Sequence, residues 1–576
     1  MGGAVEAGGI EAGAERVVRV VPDVAGIDKR FDYLAPPDTP VGALVRVTLN
    51  GRRVGAWVVD VDVDPPADVA LRQVNKVSGL GPAADVIEVA EWAAWRWAGR
   101  LTSLLRSASP AVVVRGLPPP AAAERLPVTA PALPAGGRTV LRLAPAADVY
   151  PVVLAAAATG DALVLAPSVD QAGLLAMRLR RARVPVALVP RDWARAAAGG
   201  SVVVGARAAA WAPAPGLSAV IVLDAHDEVY QEERTPTWNA WQVAAERARR
   251  AAVPCVLVTP CPTLEQERWA ADVVVPSRAQ ERAGWAALEV VDRRKEDPRS
   301  GLFSDRLVTL LRGGGRVACI LNRKGRAKLL ACAACGELAR CERCDASVES
   351  VEAARLHCRR CGLDRPVVCQ ACGSQRLKLL RLGVSRVAEE LAALAGEPVA
   401  EVTADTADLP ANRVLVGTEA LLHRLDAVDV VAFLDFDQEL LAPRYRAGEQ
   451  ALALLARASR LVGGRGSGRV LVQTRAPAHE VLDAALHADP GRLAAVEGER
   501  RQALGLPPFA ALALVSGEAA PVFVDALSAD TAVEVLGPDD GRWLVRAPDH
   551  AALADALSRT ARPAGRLRVE VDPLRF

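Results

Sequence analysis

No run of apolar residues approaches the roughly twenty that a membrane span needs, and the opening stretch, MGGAVEAGGIEAGAER, carries no apolar segment of the kind that starts a secretory signal. A cytoplasmic, nucleoid-associated protein with no membrane partner is expected. Net charge is also scarce: 70 Lys+Arg against 68 Asp+Glu leave only +2, so no global field advertises nucleic acid, although local basic patches remain open. Lysine is nearly missing, and arginine supplies almost all the positive charge beside abundant alanine. That pairing is what GC-rich coding produces, and it carries no functional weight. With 51% apolar and 24% charged residues over 576 positions, the chain reads as globular, and it is too long for a single core. Three or four domains are expected.

Cysteine is present in a pattern. Eight of the 11 cysteines form four Cys-x-x-Cys pairs: Cys332/Cys335, Cys341/Cys344, Cys358/Cys361 and Cys369/Cys372. Two intervening residues let both sulfurs face one ion, and a tetrahedral zinc site needs two such pairs. In a reducing compartment, metal ligation is the expected use of this spacing. The thirteen residues DASVESVEAARLH between the second and third pairs allow an excursion that returns to the same metal, whereas GELAR between the first two leaves little room to fold back. Nested pairing follows: Cys341, Cys344, Cys358 and Cys361 in one Zn²⁺ site, and Cys332, Cys335, Cys369 and Cys372 in the other. An ion already held by four thiolates has no open position for catalysis, so both sites read as structural. His357, beside Cys358, reads as a surface or packing residue. Cys255, Cys261 and Cys319 read as buried small hydrophobes.

Around this cluster the chain divides by pattern. Residues 1–15 are Gly/Ala-rich and expected to be disordered. Residues 16–116 begin with alternating strands (RVVRVVPDV, ALVRVTLN, VGAWVVDVDV), which suggest a small β-barrel. Two helices follow, whose Trp92, Trp95 and Trp97 read as packing residues. A Pro/Ala linker spans 117–137. Short Val/Leu/Ile runs then alternate with helical segments over 138–290, and again over 300–330 and 376–480, the signature of parallel α/β sheets covered on both faces. The cysteine-rich insert occupies 331–375, and 485–576 reads as a small α+β domain. The fold class is thus α/β, with an N-terminal β-barrel, two tandem lobes carrying a zinc-knuckle insert, and a C-terminal α+β domain.

These parts, in this order, resemble the primosomal protein N′ family, the PriA replication restart helicases, over nearly all the chain after its first fifteen residues or so. The segments that carry the resemblance are FDYLAP, VVVGARAAAWAPAPGLSAVIVLDAHD, LNRKGRAKLLACAACGELARCERCDAS, GVSRVAEEL, VLVGTEALLH, VEGERRQALGLPPFAALAL and VEVDPL. The resemblance implies that the lobes are RecA-like helicase lobes. It also implies recognition of stalled, branched DNA with 3′ ends and single strands, ATP-driven unwinding, and contacts with single-stranded-DNA-binding protein and with primosome or helicase-loading proteins.

The ATP engine, however, departs from the family's pattern in three places. Where the family carries a Gly-rich Lys-Thr phosphate loop after the first strand of lobe one, residues between Val140 and Asp148 include no glycine, lysine, serine or threonine, and Pro145 lacks an N–H. The family's Asp-Glu-Glu-His appears as Asp224-Ala225-His226-Asp227. Its Gln-x-x-Gly-Arg-x-Gly-Arg is replaced by ARASRLVGGRGSGR, with Arg460 or Arg465 as the arginine left near the cleft. Losing cradle, metal carboxylates and arginine register together removes the positioning that phosphoryl transfer relies on. We therefore expect no catalytic residues and no working ATP/Mg²⁺ site. The expected function is a restart protein that holds forks and nucleates primosome assembly without a motor. An active 3′ to 5′ helicase with a non-standard nucleotide pocket, and a zinc-ribbon scaffold that has left DNA, are the alternatives. There is also no room for the winged-helix domain that many relatives place before lobe one.

By the same resemblance, a pocket for a DNA 3′ end maps onto Phe31, Asp32, Asn50 or Gly51, and Arg72. An aromatic face stacks a base, a carboxylate accepts from a 3′-hydroxyl, and an arginine meets phosphate. Phe31 as barrel core and Asp32 as a strand-end cap fit equally well. Arg52 and Arg53 suit either phosphate contacts or a solvated turn. Arg207 sits at the family's Gly-Thr-Arg position, leaving the arginine to argue a DNA role in lobe one, and Gly417 and Thr418 match part of a strand-end motif of lobe two.

Overall fold

Alternating apolar residues turn one face of five antiparallel strands inward: β1 (Arg16–Pro22), β2 (Phe31–Ala35), β3 (Ala43–Leu49), β4 (Arg52–Val61) and β5 (Lys76–Leu80). Their order is β2-β1-β4-β3-β5. The stretch leading into β5 returns to β2, where Leu34 pairs with Gln73, Leu34 N–H donates to Arg72 C=O at 2.9 Å and Val74 N–H to Leu34 C=O at 2.8 Å. That closure makes the sheet a barrel around Val18, Val20, Tyr33, Val45, Val47 and Val58. Helices α1 (Ala84–Arg96) and α2 (Leu101–Ala108) cover part of its outer face, and Trp57 of β4 is buried there, its Nε1–H donating to Ser109 Oγ at 2.8 Å. Trp97 is fully buried and meets half-buried Trp92 edge-on at 5.4 Å, while Trp95 Nε1–H donates to Asp555.

The computed structural model describes residues 15–24, 26–27, 29–64, 70–121, 133–134, 137–294, 302–322, 329–352, 355–379, 387–403 and 406–575. The expected disordered start, most of the expected linker, the central residues of LNRKGRAKLL and the first four of GVSRVAEEL therefore lie outside the described residues. Among those described, no helix is long and apolar enough to cross a membrane.

Lobe one is a parallel α/β layer: β6 (Arg138–Arg142), α3 (Tyr150–Ala157), β7 (Asp161–Leu165), α4 (Val169–Arg181), β8 (Val186–Leu188), α5 (Trp193–Ala198), β9 (Val202–Gly205), β10 (Leu217–Leu223), α6 (Ala240–Arg250), β11 (Cys255–Thr259), α7 (Leu264–Trp269), β12 (Asp272–Val274) and α8 (Arg278–Gly284). Its seven strands run β12-β6-β11-β10-β7-β9-β8, with apolar side chains buried on both faces.

Lobe two begins earlier than the sequence boundary at 290. Strand β13 (Ala287–Asp292) pairs with β23 (Arg469–Thr474), at the edge of the second sheet. The rest of that lobe is α9 (Asp305–Leu311), β14 (Val317–Ile320), α10 (Val387–Ala395), β20 (Val399–Val402), β21 (Val414–Gly417), α11 (Ala420–Arg424), β22 (Val430–Phe433), α12 (Asp437–Leu440), α13 (Ala447–Leu461) and α14 (Glu480–Leu486). Its order is β13-β23-β22-β14-β21-β20. Between β14 and α10 the cysteine-rich insert contributes β15 (Leu330–Cys332), β16 (Glu349–Glu352), β17 (Arg355–His357), β18 (Asp364–Pro366) and β19 (Leu377–Leu379). The C-terminal part has α15 (Pro490–Leu504), β24 (Ala511–Ser516), α16 (Ala520–Leu527), β25 (Glu534–Asp539), β26 (Arg542–Ala547), α17 (His550–Arg559) and β27 (Arg568–Val571), its sheet ordered β25-β26-β24-β27.

Buried charge ties these parts together. Arg501 of α15 has no exposed side-chain surface and meets three carboxylates: Glu449 of lobe two at 2.7 Å, Glu497 at 3.4 Å and Glu265 of lobe one at 3.6 Å. Glu497 in turn pairs with Arg360 of the insert at 3.3 Å, and Glu265 with Arg446 at 2.9 Å. At the far side Arg96 of α1 pairs with buried Asp572 at 2.7 Å. Removing one member of such a set strands the others without water. Arg501→Ala is expected to lower unfolding free energy by about 3–5 kcal/mol in urea titrations, and a loss below about 1 kcal/mol would mean that the three carboxylates do not depend on it.

Candidate nucleic-acid and metal sites

Each Cys-x-x-Cys pair folds the same way. The residue after the second cysteine is left-handed, Gly336 at φ 76°, Asp345 at 61°, Gly362 at 72° and Gly373 at 74°. Its N–H donates to the first cysteine's carbonyl at 2.8–3.0 Å in all four. This turn points both thiols of a pair the same way, and it is cheapest for glycine, which three of the four pairs use. That following residue is a sequence signal that cysteine spacing alone does not contain.

The pairs meet as nested sets, Cys332, Cys335, Cys369 and Cys372 in one and Cys341, Cys344, Cys358 and Cys361 in the other. Sγ–Sγ separations across the pairs are 3.5 Å (Cys332–Cys372), 3.6 Å (Cys335–Cys369), 3.5 Å (Cys341–Cys361) and 3.5 Å (Cys344–Cys358). A tetrahedron with sulfurs about 2.3 Å from its centre has edges of about 3.8 Å. The clusters fit a metal ion, therefore, and the sulfurs are far too separated for disulfides. His357 is no ligand: its Nδ1 lies 2.8 Å from Asp364 Oδ1. The three remaining cysteines are buried, and burial pushes the Cys319 thiol up to about 12.

In the barrel, the strand register places the candidate residues. Asp32 lies opposite Arg19 on β1 and accepts from it through both oxygens, at 2.9 and 3.1 Å. Phe31 begins β2 half-buried, packed against the barrel core. Asn50 (φ 47°) and Gly51 (φ 77°) form the exposed two-residue turn from β3 to β4, both left-handed as that hairpin requires. Tyr33 Oη donates to Thr48 C=O at 3.0 Å, which ties β2 to the strand end entering that turn. Arg72 is exposed, its carbonyl bound to β2. These five candidates share the barrel. Arg207 does not: it lies in lobe one, its guanidinium donating to Gln231 C=O at 2.8 Å and pairing with Glu232 at 3.0 Å.

The cleft between the lobes is where the two sheets' strand ends face each other. The segment after β6 spends its amides on protein carbonyls: Leu143 N–H on Thr259, Ala146 N–H on Gly284 and Ala147 N–H on Ala144, at 2.9–3.2 Å. At the head of α3, Asp148 Oδ1 accepts Tyr150 N–H at 3.0 Å, so a carboxylate takes the anion-favouring helix end. Arg178 pairs with it at 2.8 Å and lies 3.8 Å over the Tyr150 ring.

Across the cleft Arg460 of α13 reaches into lobe one. It donates Nε–H to Pro145 C=O at 2.9 Å and holds both Asp224 oxygens at 2.6 Å. Asp224 sits left-handed (φ 48°) just past β10. Burial alone would raise its carboxyl; the Arg460 guanidinium overrides that and holds it at about 2. Of the two arginines expected near the cleft, Arg460 is the one that engages Asp224, while Arg465 offers its backbone N–H to Ala283 C=O at 3.0 Å. His226 Nδ1 lies 2.9 Å from Thr259 Oγ1, and burial pushes its pKa down, toward the neutral ring. Beyond the ion pair a cavity of about 470 Å³ remains, lined among others by Arg207, His226, Asp227, His423 and Arg457.

A carboxylate whose folded pKa is depressed adds stability that is fully present above the ordinary value of 3.8 and is lost as pH falls through the folded one. For Asp224 the difference amounts to about 2 kcal/mol. Asp224→Asn is expected to destabilise the protein by about 3 kcal/mol at neutral pH, and denaturation curves should show that gap narrowing from about pH 4 toward 2. A gap independent of pH would remove Arg460 as its cause. For the cysteine clusters, elemental analysis is expected to return two metal equivalents per chain. A chelator should release them in two phases, first from the set holding exposed Cys335 and Cys372, then from the set holding buried Cys344 and Cys358. Single-phase release would contradict the burial difference.

Comparison with known proteins follows the same geometry. A family described as 3′DNA-binding domain (3′BD) matches residues 19–110, the barrel and its two helices. The probable replication restart protein PriA of Mycobacterium tuberculosis is 29% identical over 91% of this chain and 91% of its own length. The replication restart protein PriA of Bacillus subtilis is 29% identical over 55% of this chain, and that of Thermotoga maritima 30% identical over 55%. The chain spans less than half of those last two proteins in the match, 43% and 46%.

Proposed function

Because this chain belongs to the PriA family of replication restart proteins, we propose that it recognises branched or stalled forks through its 3′ DNA-binding domain and nucleates primosome assembly without ATP-driven unwinding. The observation that carries the second half is the charge already built into the cleft. Asp148 stands at the helix end that would receive phosphate, and Arg460 is committed to Asp224. A triphosphate entering there meets a carboxylate at close range and must break an ion pair to gain its arginine. Amides 143, 146 and 147 are likewise spoken for. The lobes act as a clamped body whose contribution is holding and presenting.

In this reading, Phe31 stacks the terminal base, Gly51 lets the strand approach the β3–β4 turn, and Arg72 meets phosphate. Asp32 accepts from the 3′-hydroxyl while the two hydrogen bonds from Arg19 hold its carboxylate oriented. Arg207 serves the DNA path as a cation fixed by Gln231 and Glu232. Both tetracysteine clusters hold Zn²⁺, the metal for which four thiolates in a tetrahedron are the ordinary set. Each ion would stiffen the insert against α15 and leave no coordination position for chemistry. Single-stranded-DNA-binding protein and helicase-loading proteins are the partners, met on DNA in the cytoplasm.

The purified protein is expected to show no DNA-stimulated ATP hydrolysis above background, and to bind forks carrying a free 3′-hydroxyl at the junction about tenfold more tightly than forks blocked there by a 3′-phosphate. Such a ratio is about 1.4 kcal/mol, what one or two hydrogen bonds and a stack supply. Phe31→Ala should erase it. Robust turnover, or equal binding to both forks, would overturn the corresponding half of the proposal.

A further inference from the structure

The outer face of the barrel carries cations that no carboxylate among the described residues neutralises. Along β3, Val45 and Val47 point inward, so Arg46 points out; along β4, Val54, Ala56 and Val58 point inward, so Arg53 and Gly55 point out. Register sets Arg46 directly opposite Gly55 on one side and Lys76 of β5 on the other, and sets Arg53 opposite Thr48. Further along this same face, Leu44, Trp57 and Val59 are packed under α1 and α2, which leaves Arg46, Arg53 and Lys76 as the exposed strip.

Like charges directly opposite on adjacent strands destabilise a sheet unless an anion lies between them. Among the described residues no ion pair engages Arg46, Arg53 or Lys76, although many other arginines of the barrel and its helices have a carboxylate partner. The carboxylates nearby are taken. Asp23, whose N–H donates to Gly55 C=O at 2.7 Å, pairs with Arg106 at 2.5 Å, and Asp32 pairs with Arg19. Asn75, beside Lys76, is exposed, and its side-chain carbonyl oxygen accepts from Thr48 Oγ1 at 2.9 Å.

We propose that this strip, Arg46, Arg53 and Lys76, binds the phosphate backbone of a duplex arm of the fork, separately from the 3′-end pocket. Three cations held at strand spacing on a rigid, slightly twisted surface, with no aromatic among them, suit a backbone of fixed geometry. They do not suit an unstacked single strand, which calls for stacking faces. The strip gives the chain a sequence-independent grip on double-stranded DNA. The inference rests on the fork-binding reading and adds to it a second, independent point of attachment.

The test uses the full chain and a dumbbell duplex closed by hairpins at both ends, which has no 3′ terminus. The triple variant Arg46→Gln/Arg53→Gln/Lys76→Gln, whose sites are exposed, should keep the melting temperature. It should bind the dumbbell at least tenfold more weakly at low salt and flatten the log K against log[salt] slope by about 0.9 for each phosphate that is no longer neutralised. The lone reversal Lys76→Glu should weaken dumbbell binding in the same direction and serves if the triple variant folds poorly. Phe31→Ala should leave dumbbell binding intact, so failure of the 3′-end reading and failure of this one show separately. Unchanged dumbbell affinity and slope in the triple variant would overturn the proposal. So would a loss confined to single-stranded DNA, or to an acidic protein partner.

Discussion

Arg501 has no solvent. A guanidinium held so deeply persists only if carboxylates surround it, and Glu265, Glu449 and Glu497 come from lobe one, lobe two and its own helix. Since Glu497 also takes Arg360 from the insert, one ionic cluster fixes four parts of the chain in a single arrangement. Domain rotation would strand at least one of these charges. The architecture is therefore that of an assembly clamped by buried charge, to which the Arg96–Asp572 pair also ties the helices of the barrel domain.

The cleft follows the same logic in miniature. In a nucleotide-driven lobe pair, the ligand supplies the charge that draws the lobes together and its loss lets them part. Here that charge is internal. Asp224 supplies the anion, Arg460 the cation, and Pro145 C=O and Ala283 C=O accept further hydrogen bonds across the gap. Close approach is built into the backbone as well: a side chain at Gly464 of lobe two would begin 2.5 Å from Ala283 C=O of lobe one.

What the sequence discloses depends on how local the cause is. The four cysteine pairs were legible, with their nesting, because a metal imposes its demand over a few residues and the loop lengths do the rest. The lobes were legible as runs of β-branched residues. The edge strand β13 was not, since half-buried ALEVVD suits either lobe and its partner β23 lies far along the chain. The bond between Asp32 and Arg19 depends on a register that alternation alone leaves free by two residues. Arg460 was a candidate without a partner: its commitment to Asp224 spans 236 positions and arises only once both lobes exist. The strip of Arg46, Arg53 and Lys76 was likewise scattered through three strands, and only pairing makes it one feature.

The carboxylate of Asp148 bears on how such a chain could change. A phosphate approaching the head of α3 would meet Asp148 already paired with Arg178, and would have to compete with Asp224 for Arg460. The two pairs differ in what their loss costs: Arg178 and Asp148 are both half-exposed and water replaces either partner, whereas Asp224 without Arg460 is a buried charge left uncompensated. Change in this cleft is thus constrained chiefly at Asp224 and Arg460, two charges 236 positions apart that no single substitution removes together.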